Sequence, residues 1–352
     1  MNDQTKPDQK LAAELLVCDC EGTMKIDADG IAGGLGCPGS ATAFTQLCRR
    51  ELGAFKDRLG AGQPMIVACT QEAPLFSEIA AEAEQRTAPL SFVNIRESAG
   101  WSTDTASKTA KMAALIAAAA VEVTPTAVMS IKSEGQCLIY GAGQTALDAA
   151  ERLASRLSVT VVLTDAGDAI PPAVVDVPLH TGRIRSARGT LGNFSVEFEA
   201  FAPAQPSSRD TLAFERPRDG FKSTCDIILD LSGRPPLFND TVKRDGYIRV
   251  DPDNPIAIAH AIFEAADLVG EFEKPLYVSY DETICAHARN TRIGCRNCLD
   301  NCPTGALASN GDIIAVDAAV CGGCGNCSAV CPTGAISYDY PKRNDTIRRV
   351  QV

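Results

Sequence analysis

Long apolar stretches, aromatic side chains and positive charge are all scarce in this 352-residue chain. The longest apolar run is Met112–Val121, which is mostly alanine and too short to cross a bilayer. This run therefore predicts a buried helix. The first ten residues contain no apolar core of the kind that a secretion signal needs. These absences predict a cytoplasmic protein without a membrane span.

Aromatic residues make up 5% of the chain, and its formal net charge is −11. An acidic surface repels phosphate backbones, and few rings are present on which bases can stack. We therefore expect no nucleic acid among the partners. The sequence also shows no Ser/His/Asp pattern and no paired carboxylates suited to acid–base catalysis.

Cysteine, in contrast, is abundant. The chain has fifteen cysteines, and eight of them lie between Cys285 and Cys331. In a chain without an export signal, such thiols are more often metal ligands than disulfide partners. The region also repeats itself, because Cys298-x3-Cys302-Pro-Thr-Gly-Ala-Leu is matched by Cys327-x3-Cys331-Pro-Thr-Gly-Ala-Ile. The repeat predicts two similar metal sites.

The second copy is the run Cys321-x2-Cys324-x2-Cys327-x3-Cys331-Pro, which is typical of bacterial ferredoxins with two [4Fe–4S] clusters. In that pattern the first three cysteines bind one cluster, and the cysteine before proline binds the other. Zinc sites use two Cys-x2-Cys pairs at wider separation and have no use for a Cys-Pro sequence, so zinc is disfavoured. The first copy departs from the pattern, because Arg292 stands at its expected first cysteine position.

The nearest upstream cysteine is Cys285, which we assign to the first cluster, with His287 or a water molecule as the alternative ligand. Crossed ligation then predicts two ligand sets. The first set is Cys285, Cys295, Cys298 and Cys331, and the second set is Cys302, Cys321, Cys324 and Cys327. Two neighbouring clusters are suited to passing single electrons, so the region predicts a ferredoxin-type module.

A glycine-containing turn follows a predicted strand at Gln136–Tyr140 and opens a predicted helix. The turn reads Gly141-x-Gly143-x-x-Ala146, in which glycines allow a tight turn and close approach of a pyrophosphate to the helix N-terminus. Asp165 ends the next predicted strand, where an acid can bind ribose hydroxyls. This order predicts a Rossmann-like nucleotide-binding fold. The alternative is a fold of this kind that has lost its ligand.

The segment from Gly246 to Asp267 distinguishes FAD from NAD. Gly246-Tyr-Ile-Arg-Val-Asp251 followed by Ile262-Phe-Glu-Ala-Ala-Asp267 resembles the closing motif of thioredoxin-reductase-like flavoproteins, in which an aspartate meets the flavin ribityl chain. The resemblance implies that Asp267 binds FAD. Little chain remains for a separate pyridine-nucleotide domain, so FAD is favoured, and an NAD-dependent oxidoreductase is the alternative.

Four further cysteines near the N-terminus are suited to a third cluster. Cys18 and Cys20 end the first predicted strand, Cys48 lies in the following predicted helix, and Cys69 ends the predicted strand Met65–Cys69. The ends of parallel strands converge at one edge of a sheet, so these four thiols can meet. The alternative is four separate buried thiols, because free cysteine is among the most buried residue types.

The chain resembles the flavin- and iron–sulfur-containing A subunit of heterodisulfide reductases. The residues that carry the resemblance are Cys18-x-Cys20-x-Gly22, the helical Cys48, Val67-Ala68-Cys69-Thr70, and Asn94-Ile95-Arg96-Glu97 with Trp101. It implies an N-terminal cluster with ligands drawn from Cys18, Cys20, Cys48 and Cys69. It also implies FAD in a thioredoxin-reductase-like domain, with ferredoxin modules that carry electrons outward. Family members have a cysteine between the Arg-Glu and the Trp, where this chain has Ser98-Ala99-Gly100.

These motifs predict an α/β chain of three domains. Residues 1–130 form an α/β domain with the third cluster and a glycine-rich loop at Gly30–Gly39. Residues 131–275 form the Rossmann-like, FAD-type domain, and residues 276–352 form an α+β ferredoxin domain with two [4Fe–4S] clusters. We expect an oxidoreductase subunit that passes electrons between a partner dehydrogenase or reductase and a soluble carrier. The other hypothesis is a wiring protein that has clusters and an empty nucleotide fold.

Overall fold

The computed structural model describes residues 13–37, 41–60, 62–69, 71–83, 88–167, 169–172, 176–208, 210–238, 241–289 and 292–352. The chain forms two compact units, of which the first comprises residues 1–125 and 341–352 and the second residues 126–340. Both units combine helices with parallel β-sheet, so the mixed α/β class predicted from the sequence is confirmed. Among the residues described, no helix is long and apolar enough to cross a membrane.

The first unit is built on a parallel four-stranded sheet. Its strands are β1 (Glu14–Cys18), β2 (Ala41–Phe44), β3 (Met65–Ala68) and β4 (Leu90–Phe92). They lie in the order β2-β1-β3-β4, and each pairing is parallel. The helices are α1 (Ala28–Gly34), α2 (Leu52–Leu59), α3 (Ala73–Glu82) and α4 (Thr105–Ala120), with a π-helical turn at Arg96–Gly100 and a last helix at Arg343–Gln351.

Both faces of this sheet are buried, because successive side chains of a strand point to opposite sides. Leu15 and Val17 of β1 pack into one core with residues of α1 and α4. Leu16 packs into the opposite core with Phe55 and Phe76 of α2 and α3. A strand buried on both faces is apolar along its whole length, which explains the continuous apolar runs of β1 and β3.

The prediction of a glycine-rich loop at Gly30–Gly39 is wrong for its first half, which belongs to α1. Asp27 caps this helix by accepting a hydrogen bond from the backbone N–H of Gly30 (2.9 Å). A Cβ on Gly34 would lie only 3.0 Å from the Cβ of Ala113 in α4. Glycine therefore permits close packing of two helices here, and residues 38 and 39 of the predicted loop lie outside the described residues.

The second unit contains a seven-stranded mixed sheet. The strands of the sheet are β6 (Gln136–Gly141), β7 (Ser158–Leu163), β8 (Leu179–Arg188), β9 (Phe194–Pro203), β10 (Phe221–Cys225), β11 (Ile227–Leu231) and β12 (Tyr247–Arg249). Two further strands, β5 (Val128–Ser133) and β13 (Gly270–Pro275), flank them in the chain. The sheet order is β10-β9-β8-β7-β6-β11-β12, in which β8, β7, β6, β11 and β12 are parallel. Strands β9 and β10 are antiparallel to their neighbours, and β5 pairs with β13 as a separate ribbon.

The two faces of the large sheet belong to two different hydrophobic cores. Helices α5 (Gly143–Leu153) and α6 (Pro255–Ala266) pack on one face through small residues such as Ala146 and Ala261. On the other face, Phe194 and Phe198 of β9 pack against Tyr140 and other residues of the central strands. The carboxyl ends of the parallel strands lie at the edge of the sheet where α5 begins, because α5 follows directly after β6.

The end of the second unit is a small region of short elements. They are β14 (Val278–Tyr280), β15 (Ala288–Arg289), β16 (Arg292–Ile293), α7 (Asn297–Asp300), β17 (Leu307–Asn310), β18 (Ile313–Val316), α8 (Asn326–Ala329) and β19 (Ile336–Tyr338). Three antiparallel pairs form, β14 with β19, β15 with β16, and β17 with β18. The sequence repeat is visible in the backbone. The N–H of Asp281 donates to the carbonyl of Ala335, and that of Asp317 donates to the carbonyl of Ala306, both at 2.8 Å.

Residues 341–352 belong to the first unit, although the sequence groups them with the ferredoxin domain. The buried Asp345 of the last helix accepts a hydrogen bond from the backbone N–H of Thr124 (3.2 Å). The three-domain division of the chain stays a prediction.

Candidate metal centres

One cavity of the small C-terminal region is lined by four cysteines. They are Cys285, Cys295, Cys298 and Cys331, the first ligand set predicted from the sequence. Cys298 lies in α7, whereas Cys331 follows α8 in the other copy of the repeat. Burial and a hydrogen bond with Cys285 raise the pKa of Tyr280. The sulfur of Cys285 therefore contacts the side chain of Tyr280 in β14. The fold therefore brings Cys331 of the second copy together with the three cysteines that precede Cys302 in the chain.

The second predicted set also forms one group of thiols. Burial raises the pKa of Cys327 to about 11, and the nearby Cys321, Cys302 and Cys324 add to this rise. Binding of iron releases the protons of such thiols and offsets the repulsion among their sulfurs. No three His, Cys, Asp or Glu of the described residues converge on a single metal ion. A four-iron cube holds its thiolates further apart than one ion does, so this finding does not test the clusters.

The turn after Cys331 directs hydrogen-bond donors at the sulfur. Burial acts to raise the pKa of Cys331, but hydrogen bonds from the backbones of Ile336 and Thr333 and from the Thr333 hydroxyl lower it overall. The turn closes at Gly334, whose φ of +71° is a left-handed conformation that glycine adopts freely. Donors of this kind stabilise a thiolate ligand and raise the reduction potential of an iron–sulfur cluster.

The first copy of the repeat builds the same turn. The Thr304 hydroxyl lies 3.6 Å from the sulfur of Cys302, and Gly305 has a φ of +68°. The shared Cys-Pro-Thr-Gly sequence therefore has a local role at both sites, which is to surround one cysteine sulfur with donors.

The loop that carries Cys321 to Cys327 depends on glycine. Gly323 has a φ of +69°, and a Cβ there would lie 2.8 Å from the ring of Tyr277. A Cβ on Gly322 would collide with the side chain of Val242. These two glycines let the loop pack closely against the rest of the unit.

His287 is almost fully buried beside the first set, with 1% of its surface exposed. Its Nδ1 lies 2.8 Å from the carbonyl oxygen of Cys295, and its Nε2 lies 2.7 Å from Oγ of Ser309. Although the ring also lines the cavity, both nitrogens have hydrogen-bond partners. His287 could act as the fourth ligand only after breaking one of these bonds.

We expect His287→Ala to lose iron from the first set and to keep it in the second. The imidazole connects the carbonyl of Cys295 to the Ser309 hydroxyl, so its removal leaves this ligand less well positioned. The dicluster domain of the anaerobically reconstituted variant should contain about four irons per chain, against about eight when both of its clusters are present. His287→Gln keeps a donor and an acceptor and should retain more iron. An unchanged iron content in His287→Ala would disprove the positioning role.

The glycine turn at the start of α5 has the shape of a phosphate-binding turn. A Cβ on Gly141 would lie 2.9 Å from the Cβ of Ala146 and 3.1 Å from that of Leu231, so only glycine fits. Gly143 has a φ of +56° with open space at its Cβ position, and no side chain caps the N-terminus of α5. Asp165 is exposed where β7 ends, and its carbonyl accepts a hydrogen bond from the N–H of Gly143 (2.9 Å). These four predicted residues lie together.

Asp267 does not join them, because it stands at the C-terminal end of α6. The last turns of α6 line a cavity with Arg152 and Arg156, which lie at the C-terminal end of α5. The glycine turn lies at the opposite end of α5, about 16 Å away for a helix of 11 residues. The acid that does lie at the carboxyl edge of the parallel strands is Asp251, just after β12.

The four N-terminal cysteines interact with one another. Cys18 ends β1, Cys69 follows β3, and Cys48 lies in a turn before α2 rather than in that helix. Burial is the largest cause that raises the pKa of Cys18 and of Cys48, and the nearby Cys69 raises both further. The backbone N–H of Cys20 donates a hydrogen bond that lowers the pKa of Cys18, whereas the charge of the Cys20 thiolate acts to raise it. Their sulfurs are therefore close enough to repel one another when ionised.

The turn that follows β1 is strained. Cys20 and Glu21 have φ values of 56° and 60°, a left-handed conformation that costs a residue with a Cβ about 1 kcal/mol. Nη1 of Arg96 donates to the sulfur of Cys20 at 3.0 Å, and the guanidinium lies over the ring of Trp101. Strain of this kind persists where surrounding contacts hold it, and it is common at functional sites.

Comparison with known protein families identifies the C-terminal region. Residues 291–335 match the family model of the 4Fe-4S dicluster domain. The chain is therefore an iron–sulfur protein, and its dicluster domain is of the electron-transfer class, as predicted from the cysteine spacing. The match leaves Cys285 outside its bounds. A search of curated proteins finds no match to the chain.

Proposed function

We propose that the chain is an electron-transfer subunit that passes single electrons between a partner oxidoreductase and a soluble carrier. The observation that carries this proposal is the pair of four-cysteine groups, each of which combines both copies of the repeat. Cys331 joins Cys285, Cys295 and Cys298 in the first group, and Cys302 joins Cys321, Cys324 and Cys327 in the second. Because each cluster takes ligands from both copies of the repeat, crossed ligation keeps the two [4Fe–4S] clusters close together. Short separation favours electron transfer between them.

We also propose that the α/β part of the second unit is a Rossmann-like fold that binds FAD. Bound FAD supplies the exchange between two-electron and one-electron chemistry. The turn at Gly141 and Gly143 would bind its pyrophosphate at the uncapped N-terminus of α5, and Asp165 would bind ribose hydroxyls. We assign the role first given to Asp267 to Asp251, since this residue lies at the same sheet edge as the turn.

The first unit is proposed to hold a third cluster, with Cys18, Cys20, Cys48 and Cys69 as its ligands. Support comes from the mutual electrostatic influence of these thiols and from the bond that Arg96 donates to Cys20. Such a cluster would be a further one-electron centre of the chain.

Iron, acid-labile sulfide and flavin per chain, measured after anaerobic reconstitution, test these proposals together. About eight irons correspond to two [4Fe–4S] clusters and about twelve to three. Released FAD supports the flavin site, and its absence favours the wiring protein with an empty nucleotide fold. Reduction of the clusters by NADH without a partner would instead favour the NAD-dependent alternative. Zinc in place of iron, or no paramagnetic signal after addition of dithionite, would refute the electron-transfer proposal.

A further inference from the structure

A buried lysine from the α/β part of the second unit lies against the loop of the second cysteine group. Lys274 of β13 is 7% exposed. Its Nζ donates to the carbonyl oxygen of Ala319 at 2.7 Å and to Oδ2 of Asp245 at 2.8 Å. Cys321 follows Ala319 by two residues, so the ammonium lies beside this cysteine. Burial raises the pKa of Cys321, and the charge of Lys274 acts in the opposite direction.

A second cation, the guanidinium of Arg244, approaches the same cysteine group near Cys302. Nη2 of Arg244 donates to the carbonyl oxygen of Thr304 at 2.7 Å, two residues after Cys302. The guanidinium also lies over the ring of Phe238, 4.8 Å from its centroid. Burial lowers the pKa of Arg244, while the ionised Cys302 is among the groups that raise it. Lys274 therefore lies near Cys321 and Arg244 near Cys302, and both basic side chains come from the α/β fold.

Two carboxylates oppose these cations, namely Asp245 and Asp317. The side chain of Asp245 is 50% exposed, whereas that of its partner Lys274 is 9% exposed. Asp317 is exposed as well. Water screens an exposed charge far more than a buried one. The positive charge of Lys274 is therefore felt at the cysteine group more strongly than the negative charge of its carboxylate partner.

We propose that Lys274, with Arg244 in support, raises the reduction potential of the cluster bound by Cys302, Cys321, Cys324 and Cys327. This inference rests on the proposed function. Reduction adds one electron, and hence one negative charge, to the site, while no bond forms or breaks. The electron comes from the partner oxidoreductase or, in a titration, from dithionite. A buried cation stabilises the added charge, so the α/β fold sets the potential of one cluster separately from the other.

Lys274→Met in the full-length, anaerobically reconstituted protein tests this role by a dithionite titration followed by electron paramagnetic resonance. The equilibrium constant for one-electron reduction of one cluster should fall about tenfold, a shift of about 59 mV to lower potential. The other cluster should not shift. The affected signal should be the one that disappears in Cys324→Ala. Lys274→Arg keeps the charge and should leave both potentials unchanged.

Two further variants make the test decisive. Lys243→Met removes an exposed lysine, paired with Glu264, and should shift neither potential. Asp245→Asn removes the carboxylate partner of Lys274 and should shift the same cluster to higher potential. If Lys274→Met loses iron, the absence of a shift in Asp245→Asn overturns the inference. Two clusters with unchanged potentials in Lys274→Met also overturn it and leave the proposed function intact, whereas wild-type protein without clusters refutes the proposed function itself.

Discussion

Cys331→Ala should lose the cluster whose other ligands lie in the first copy of the repeat and keep the cluster of its own cysteine run. The reason is the cavity in which Cys331 meets Cys285, Cys295 and Cys298. A [4Fe–4S] cube bound by three cysteines is easily lost, so iron should fall from about eight to about four per chain in the dicluster domain. Iron analysis with electron paramagnetic resonance of the dithionite-reduced variant measures both quantities.

Which cluster remains can be read from its response to Lys274. In Cys331→Ala the remaining cluster should shift in potential when Lys274→Met is added, because that lysine lies beside Cys321. In the matched variant Cys302→Ala, the reduction potential of the remaining cluster should not change when Lys274→Met is added. The reverse result would mean that each copy of the repeat binds its own cluster, and crossed ligation would be wrong.

Cysteine spacing predicts the dicluster domain well, because each tight turn satisfies most of a cluster's ligand geometry within a few residues. The fourth ligand of the first cluster is harder to predict from spacing. His287 connects the carbonyl of Cys295 to Ser309 of β17, which lies 22 residues after His287 in the chain. No local sequence pattern predicts a hydrogen bond between residues so far apart along the chain.

Strands are predictable where burial gives them a pattern. Continuous apolar runs predict β1, β3 and β6, and the alternation over Arg183–Phe201 predicts a hairpin, which β8 and β9 form by antiparallel pairing. The ribbon of β5 and β13 carries no comparable signal. Its two strands are far apart in sequence, and most of their residues are only partly buried or exposed.

The position of Asp267 at the C-terminal end of α6 has a local cause. Asn254 caps α6 through its side chain, which accepts a hydrogen bond from the N–H of Ala257 (3.1 Å), and Pro255 begins the helix. An Asn-Pro pair of this kind marks a helix start. It places Asp251 just before the helix, at the carboxyl edge of the sheet, and Asp267 at the far end. A resemblance to Ala-Ala-Asp alone does not contain this information.

Cys69→Ala should remove the proposed third cluster and leave the dicluster domain intact. After burial, the nearby Cys69 is a cause of the raised pKa of both Cys18 and Cys48, so the substitution removes a neighbour of each. We expect iron to fall from about twelve to about eight per chain, with both dicluster potentials unchanged. Iron analysis and a dithionite titration of the variant beside the wild type give the two measurements.

A second buried cysteine of the same unit provides the control for this experiment. Cys37 packs in the other core of the sheet, with residues of α1 and α4. Its replacement in Cys37→Ala removes a buried sulfur of similar size and should leave all iron in place. Equal iron contents in Cys69→Ala and wild type would mean that the N-terminal thiols are separate core residues. The strain at Cys20 and the hydrogen bond from Arg96 favour the cluster, because a buried core thiol needs neither.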